Sequence, residues 1–174
     1  MLITGGAGFI GSNLAFIAHE HGWKVKVMDN LSTGLESNVH SFNDMGIEFC
    51  FGGIRDQSLI NLFSKGCDVI VHLAAQVSVP LSISNPDETY LINVGGTEKI
   101  IEACLQNDVK RLVVASSAAV YGDADSLPLK EEDAGRVLSP YAETKWINEE
   151  QILKARNLGL NAIALRFFNV YGCL

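Results

Sequence analysis

The sequence predicts an α/β fold with a doubly wound parallel sheet, the Rossmann fold, as a single domain over residues 1–174. Two observations lead to this prediction. Short apolar runs alternate along the chain with helical patterns, and a glycine cluster stands directly after the first apolar run. The apolar share of 48% also suits strands that helices cover on both faces. A chain of this length is enough for one hydrophobic core.

The predicted strands are apolar, rich in β-branched residues and bounded by glycine or polar turn residues. They cover residues 2–4, 24–28, 47–51, 68–73, 112–115 and 162–167. Helical periodicity predicts helices over residues 9–21, 57–63, 86–106 and 141–156. Strict alternation of the two predicts right-handed crossovers and one parallel sheet. The longest irregular stretch, residues 123–139, is charged and is predicted to be a surface loop.

Composition and charge argue against several classes of protein. The chain has 13 basic and 20 acidic residues and a formal charge of -7, which repels nucleic acid and anionic membrane surfaces. No apolar run approaches the roughly 20 residues of a membrane span, and the signal-peptide pattern is missing. We therefore expect a cytoplasmic protein with neither partner. The four cysteines lack Cys-x-x-Cys spacing, which predicts free thiols and no metal site.

The glycine cluster has the spacing and context of a dinucleotide fingerprint. Gly5, Gly8 and Gly11 follow the first predicted strand and open the first predicted helix. Gly5 permits a tight turn, Gly8 lets a pyrophosphate approach the backbone, and Gly11 lets helix and strand pack closely. The pyrophosphate would lie at the helix N-terminus, where free N–H groups and the helix dipole favour negative charge. Turns and close packing also select glycine, so a structural reading of the cluster remains open.

An acidic residue after the second predicted strand indicates which dinucleotide binds. Asp29 stands where a carboxylate can accept hydrogen bonds from both hydroxyls of the adenosine ribose. The same charge would repel a ribose phosphate, and no arginine lies nearby in the sequence to hold one. NAD is therefore predicted over NADP. The alternative is that Asp29 is an ordinary strand-end or Asx-turn residue.

Three polar residues suggest proton-transfer chemistry. Tyr141 and Lys145 lie four residues apart on a predicted helix and so share one face. A free tyrosine has a pKa of about 10, but a lysine ammonium and an oxidised nicotinamide would favour its phenolate. Ser117 ends a predicted strand at the crevice edge, where it can hydrogen-bond a reacting oxygen. The plainer alternatives are a helix-surface tyrosine and lysine and a serine that caps a strand end.

Taken together, these motifs resemble the extended short-chain dehydrogenase/reductase family, in its NAD-dependent epimerase/dehydratase branch. The resemblance covers nearly the whole chain, in the segments 5–11, 29–34, 72–76, 93–97, 116–122, 139–145 and 166–172. It implies that Ser117, Tyr141 and Lys145 are catalytic. It also implies that the substrate contacts Ser117, Tyr141 and Asn169. The residues implied to bind NAD are Gly5, Gly8, Phe9, Ile10, Gly11, Asp29, Asn30, Ser32, Thr33, Gly34, Ile54, Leu73, Ala74, Ala75, Asn93, Tyr141, Lys145 and Phe168.

Two departures from the family's patterns affect the expected activity. Gly53 stands where the family often has an acidic residue that meets the adenine, so weaker cofactor binding is expected. Ala118 and Ala119 stand where the family's dehydratases have an Asp-Glu pair, which supplies the acid and base for eliminating water. The resemblance therefore implies an isomerase, a nucleotide-sugar 4-epimerase of the UDP-hexose class. A dehydrogenase on another substrate and a catalytically silent NAD-binding module remain alternatives.

Both ends of the chain differ from the family pattern. The first strand is very short, and only two residues follow the segment 169–172. We expect a chain that lacks most of the C-terminal substrate domain and that does not turn over a nucleotide sugar alone. Apolar surface exposed at such a cut would favour self-association, and a homodimer is one expected outcome.

Overall fold

A computed structural model describes residues 1–124 and 127–172 of the chain. Its described residues form a six-stranded parallel sheet with the strand order β3-β2-β1-β4-β5-β6. The strands are β1 (Leu2–Thr4), β2 (Lys26–Asp29), β3 (Glu48–Phe51), β4 (Val69–His72), β5 (Arg111–Ser117) and β6 (Ala162–Phe167). The strand order reverses between β1 and β4. Such a reversal opens a crevice at the carboxyl ends of the strands, and the predicted doubly wound fold is confirmed.

Helices connect the strands and cover both faces of the sheet. They are α1 (Phe9–Glu20), α2 (Glu36–Met45), α3 (Gln57–Ser64), α4 (Val79–Ser84), α5 (Pro86–Tyr90), α6 (Gly96–Gln106) and α7 (Pro140–Asn157). A π-helical segment, Leu91–Gly95, joins α5 to α6. Short 3-10 turns cover Ala118–Tyr121 and Glu131–Asp133. Within the described ranges, none of the helices is both long enough and apolar enough to cross a membrane.

Successive residues of β1 supply the two hydrophobic cores, because side chains alternate across a strand. Leu2 is fully buried in one core with Ile60 of α3 and Ile100 of α6. Ile3 is fully buried on the other face in a core with α1 and with Phe42 of α2. The three residues of β1 therefore lie at the centre of the molecule. The glycine cluster that follows them is placed at the middle of the sheet's carboxyl edge.

The elements differ from the sequence-based prediction in three places. The predicted helix over 86–106 is interrupted by the π-helical segment, whose looser hydrogen bonding frees backbone carbonyls. Helix α2 was not predicted because its only buried side chain is Phe42, which leaves little apolar periodicity. Helix α4 is six residues long and begins with Val-Pro, too short for a periodic pattern. In the predicted loop 123–139, residues 125 and 126 lie outside the described residues.

Candidate functional site

The glycine cluster forms the turn from β1 into α1. Gly5 has a φ of +70°, and an added Cβ would lie 2.6 Å from the backbone nitrogen of Ala74 after β4. A Cβ on Gly11 would overlap the carbonyl oxygen of Gly5. Both glycines are therefore required by the packing of the protein itself. Gly8 differs, because a Cβ there would meet only the Gly5 oxygen at an ordinary 3.4 Å.

The start of α1 suits a phosphate group. Gly8 is the cap residue and gives no side-chain hydrogen bond, and the first turn of α1 has no acidic residue. The N–H groups at this end, including those of Phe9 and Ile10, are available to an anion. An open position at Gly8 with an uncapped helix end is the arrangement that a dinucleotide pyrophosphate needs. The residues present therefore fit the cofactor that the sequence predicts.

Asp29 fastens the loop after β2 to the glycine turn. Its Oδ2 accepts the N–H of Ala7 at 2.9 Å, and its Oδ1 accepts the N–H of Leu31 at 2.8 Å. The second bond is an Asx turn, so the structure confirms the alternative interpretation of this residue, and its contact with a ribose stays a prediction. An ionised carboxylate offers about four acceptor sites, which leaves two for the hydroxyls of a ribose. The side-chain nitrogen of Asn38 also donates to the carbonyl of Ala7, at 2.9 Å.

The neighbouring positions of this loop lie around Asp29. Asn30, Ser32 and Thr33 are exposed, and the Asn30 Oδ1 accepts the N–H of Ser32 at 3.1 Å. A Cβ on Gly34 would lie 2.9 Å from the Asp29 Oδ1, so only glycine fits against this carboxylate. These exposed side chains are free to meet a ribose, and their cofactor contacts stay a prediction.

Gly53 and Ile54 follow β3 at the expected adenine position. A Cβ on Gly53 would meet nothing nearer than the Asn30 Nδ2 at 3.9 Å, so the space beside it is open. Ile54 is 6% exposed and belongs to the hydrophobic core, where its side chain fills the space over Gly96. Any contact of Ile54 with an adenine would therefore involve mainly its backbone.

The segment after β4, residues 73–76, is held by Asn93 of the π-helical segment. The side chain of Asn93 is 1% exposed and binds both backbone groups of Gln76, the N–H at 2.8 Å and the carbonyl at 3.0 Å. Its Nδ2 also donates to the Oγ1 of Thr144 on α7 at 3.0 Å. Asn93 therefore shapes the loop that contains Leu73, Ala74 and Ala75. Its direct contact with a dinucleotide stays a prediction.

Ser117, Tyr141 and Lys145 come together at the end of β5. The Oγ of Ser117 accepts the N–H of Ala119 at 3.1 Å and is hydrogen-bonded to the Tyr141 hydroxyl. The Nζ of Lys145 donates to the carbonyl of Ala115 at 2.8 Å and lies 6.0 Å from the centre of the Tyr141 ring. The serine also caps the following 3-10 turn, which confirms its structural alternative, and its catalytic role stays a prediction. The arrangement places a phenol, a hydroxyl and an ammonium together at the crevice.

Burial dominates the electrostatics of this cluster. It raises the pKa of Tyr141, and the hydrogen bond from Ser117 opposes that change because it stabilises the phenolate. Lys145 is 5% exposed, and burial lowers its pKa to about 8, so it is mostly charged at neutral pH. Burial, with the Lys145 charge second, lowers the pKa of His72 to about 3. His72 is therefore neutral, and Lys145 contributes the positive charge of this cluster.

The tautomer of His72 follows from its two threonine partners. The hydroxyl of Thr97 donates its one proton to the Asn93 carbonyl at 2.7 Å. It must therefore accept from the Nε2 of His72, at 3.1 Å. The Nδ1 then accepts from the Thr4 hydroxyl at 2.7 Å. His72 thus ties β1 and β4 to α6 and is a structural residue beside the site.

A partly buried ion pair fixes the end of β6 beside Ser117. The guanidinium of Arg166 donates to both carboxylate oxygens of Glu149 on α7, at 2.9 and 2.8 Å, and to the Tyr121 hydroxyl at 3.1 Å. The ring of Tyr121 lies 6.1 Å from that of Phe168. Ser117 pairs with the last residue of β6 in the sheet, so the exposed Phe168 and Asn169 follow directly at this edge. Their predicted contacts with cofactor and substrate are sterically open.

The predicted site residues therefore lie along one edge of the sheet, around its topological switch point. The sequence did not identify Asn38, Thr144, Glu149 or Ser82, whose side chains hold the predicted residues or their neighbours in place. A short polar side chain in a helix carries no sequence signal for such a contact. Within residues 1–124 and 127–172, no group of three His, Cys, Asp or Glu side chains could hold a metal ion.

Comparison with known proteins finds the same fold in sugar-nucleotide enzymes. Residues 1–174 match the model of the NAD dependent epimerase/dehydratase family. A UDP-glucose 4-epimerase of Halalkalibacterium halodurans is 36% identical over 99% of this chain and 51% of its own length. The crystal structure of the Brucella ovis UDP-glucose 4-epimerase with NAD has a TM-score of 0.87 and 36% identity, over 97% of this chain and 51% of that one. The UDP-N-acetylglucosamine 4-epimerase of Methanobrevibacter ruminantium has a TM-score of 0.92 and 35% identity, over 98% and 55%. The chain thus spans about half the length of these relatives.

Proposed function

This chain belongs to the NAD-dependent epimerase/dehydratase family, and we propose that it forms the cofactor-binding and proton-transfer part of a nucleotide-sugar 4-epimerase. The observation that carries the proposal is the contact of Tyr141 with Ser117, beside the buried Lys145, at the edge that the glycine turn shares. Relatives described as UDP-glucose 4-epimerases support the UDP-hexose class.

The cofactor would occupy the crevice between the ends of β1, β2 and β4. The pyrophosphate would lie on the N-terminus of α1 at Gly8, and the adenosine ribose on the free acceptor sites of Asp29. A bound NAD supplies a hydride acceptor and donor. Asp29 is 8% exposed and already receives two N–H groups, so a phosphate at this position would meet a fixed negative charge.

The residues of this chain would then move one proton. Tyr141 would take the proton of the sugar 4-hydroxyl when the keto sugar forms and would return it when the other epimer forms. Ser117 would donate a hydrogen bond to the reacting oxygen. Lys145 would stabilise the phenolate of Tyr141, as would a positively charged nicotinamide nearby, and both act against the effect of burial.

The reaction class is argued from Ala118 and Ala119, directly after Ser117. Elimination of water from the keto sugar needs an acid and a base, and methyl side chains supply neither. Both residues lie in the 3-10 turn. The family's dehydratases have an Asp-Glu pair at these two positions. Epimerisation needs only the hydride and the single proton that Tyr141 carries. We therefore propose epimerisation over dehydration.

The cofactor assignment is tested on the 174-residue chain by calorimetry with NAD and NADP. NAD is expected to bind more tightly, and Asp29→Asn is expected to narrow the difference because it removes the charge that repels the phosphate. Equal affinities in the wild type, or tighter binding of NADP, would show that Asp29 does not choose the cofactor.

The activity is tested in a longer protein. The relatives are about twice as long, and we propose that their remaining half contributes the wall that holds the nucleotide of the substrate. We define the fused protein as this chain joined to the C-terminal half of the Halalkalibacterium halodurans relative. Remote binding energy positions the reacting centre, so turnover is expected in the fused protein and not in the 174-residue chain. Comparable turnover of both would show that the added half is dispensable.

A further inference from the structure

The first turn of α7 carries Tyr141 at its second position, so backbone contacts there fix where the tyrosine side chain starts. The first N–H groups of a helix have no partner inside the helix. Pro140 has no N–H, and the N–H of Ala142 donates to the Oγ of the cap residue Ser139 at 3.1 Å. The N–H of Tyr141 is accepted by a residue outside α7.

That residue is Ser82 of α4, which is fully buried while its neighbours Leu81 and Ile83 are exposed. The Ser82 hydroxyl donates its one proton to the carbonyl of Val79 at 2.7 Å. Its lone pairs are therefore free to accept the N–H of Tyr141, at 3.1 Å. A side chain from a distant helix thus completes the N-terminus of α7 at the residue that carries the reactive phenol.

We propose that Ser82 is a positioning residue for Tyr141. It holds the backbone N–H of Tyr141 and does not itself contact the substrate. The inference rests on the proposed role of Tyr141 as proton carrier. Tyr141 is held at three points: the hydroxyl by Ser117, the carbonyl by the Oγ1 of Thr144 at 2.7 Å, and the N–H by Ser82. Without the Ser82 hydroxyl this part-buried N–H loses its acceptor in the protein, and we expect the first turn of α7 to shift to satisfy it.

The expected consequence follows from the geometry of catalysis. A displacement of about 1 Å at a reacting group can lower the rate on the order of 100-fold, although every catalytic side chain is still present. The shift should also weaken the hydrogen bond between Ser117 and the Tyr141 hydroxyl. Because that bond lowers the pKa of Tyr141, its loss should raise the pKa.

Ser84 offers a matched control on the same helix. Its hydroxyl also donates to the carbonyl three residues earlier, that of Leu81, at 3.2 Å, but the residue is exposed to solvent. Ser82→Ala and Ser84→Ala therefore remove the same group and the same kind of helix bond. They differ in the contact with Tyr141. Ser82→Thr keeps an acceptor oxygen and serves as the rescue.

The decisive measurement is the titration of Tyr141 in the 174-residue chain with NAD bound, followed by fluorine NMR of protein labelled with fluorotyrosine. Tyr141→Phe identifies the signal. Ser82→Ala should raise the pKa of Tyr141, whereas Ser84→Ala and Ser82→Thr should leave it close to wild type. A wild-type titration in folded Ser82→Ala would overturn the proposal. If Ser82→Ala does not fold, Ser82→Cys keeps the size with a weaker acceptor, and a wild-type titration there would also overturn it.

Turnover of the fused protein separates this inference from the proposed function. Ser82→Ala should lower kcat on the order of 10- to 100-fold with little change in KM, since substrate and NAD contacts are untouched. If the fused protein without a substitution shows no turnover, the proposed function is rejected. The titration would still decide whether Ser82 positions Tyr141.

Discussion

Replacement of Lys145 by methionine should change how the stability of the protein depends on pH. Burial lowers the pKa of Lys145 from 10.5 to about 8. Folding below about pH 8 must therefore place a charged ammonium in a buried site, at a cost of about 3 kcal/mol by the standard conversion. Lys145 is only 5% exposed, so solvent screening reduces this cost little. Below about pH 8 Lys145 is charged in both states, and the folded protein bears the whole cost of burying that charge. Between about pH 8 and 10.5 the lysine is charged only in the unfolded chain, so the cost declines as pH rises.

The magnitude can be followed in an accessible pH range. From about pH 6.5 to about pH 9.5, wild type should gain about 2 kcal/mol of unfolding free energy relative to Lys145→Met. Urea unfolding of both proteins at each pH measures this difference, in which the effects of other titrating groups cancel. Lys154→Met is the matched control, because Lys154 is an exposed lysine of the same helix and should show no such change. A difference that stays constant with pH, or that moves in favour of Lys145→Met as pH rises, would refute the reasoning.

Two further predictions concern the glycines of the cofactor site. Gly8→Ala should keep the melting temperature of the wild type but bind NAD more weakly. Gly11→Ala should lower the melting temperature, because its methyl group overlaps the Gly5 carbonyl. Undiminished NAD binding by Gly8→Ala in calorimetry would show that the pyrophosphate does not lie at Gly8. Gly53→Asp should tighten NAD binding by about fivefold, because the site is open and one hydrogen bond to the adenine amine contributes about 1 kcal/mol. Unchanged affinity of folded Gly53→Asp would place the adenine elsewhere.

The sequence was most informative where a residue is required by the backbone. Gly5 has a positive φ and Gly11 meets a carbonyl, so the turn could be predicted without side-chain geometry. The strands could be predicted because both faces of the sheet are covered, so that neighbours such as Leu2 and Ile3 are both apolar and both buried, one on each face. The carboxyl ends of parallel strands share one edge. The grouping of Asp29 with the glycine turn could therefore be predicted from a parallel sheet in which each follows a strand.

The supporting contacts could not be predicted, because they depend on which helices meet in space. Ser82 and Tyr141 are 59 residues apart, and nothing in the short sequence of α4 indicates that one hydroxyl points inward. The contacts of the Asn93 amide with Gln76 and Thr144 were not predicted either, and its contact with the cofactor stays a prediction. Helical periodicity alone could not show the π-helical segment that places it there.

The central claim is that hydride returns to the same sugar carbon while Tyr141 carries the proton. It is tested most directly with UDP-galactose labelled with deuterium at carbon 4, incubated with the fused protein and followed by NMR. Wild type is predicted to form UDP-glucose that keeps the deuterium at carbon 4, and Tyr141→Phe is predicted to bind NAD but to form no product. Deuterium lost to solvent or to free cofactor, or product formed by Tyr141→Phe, would contradict the account.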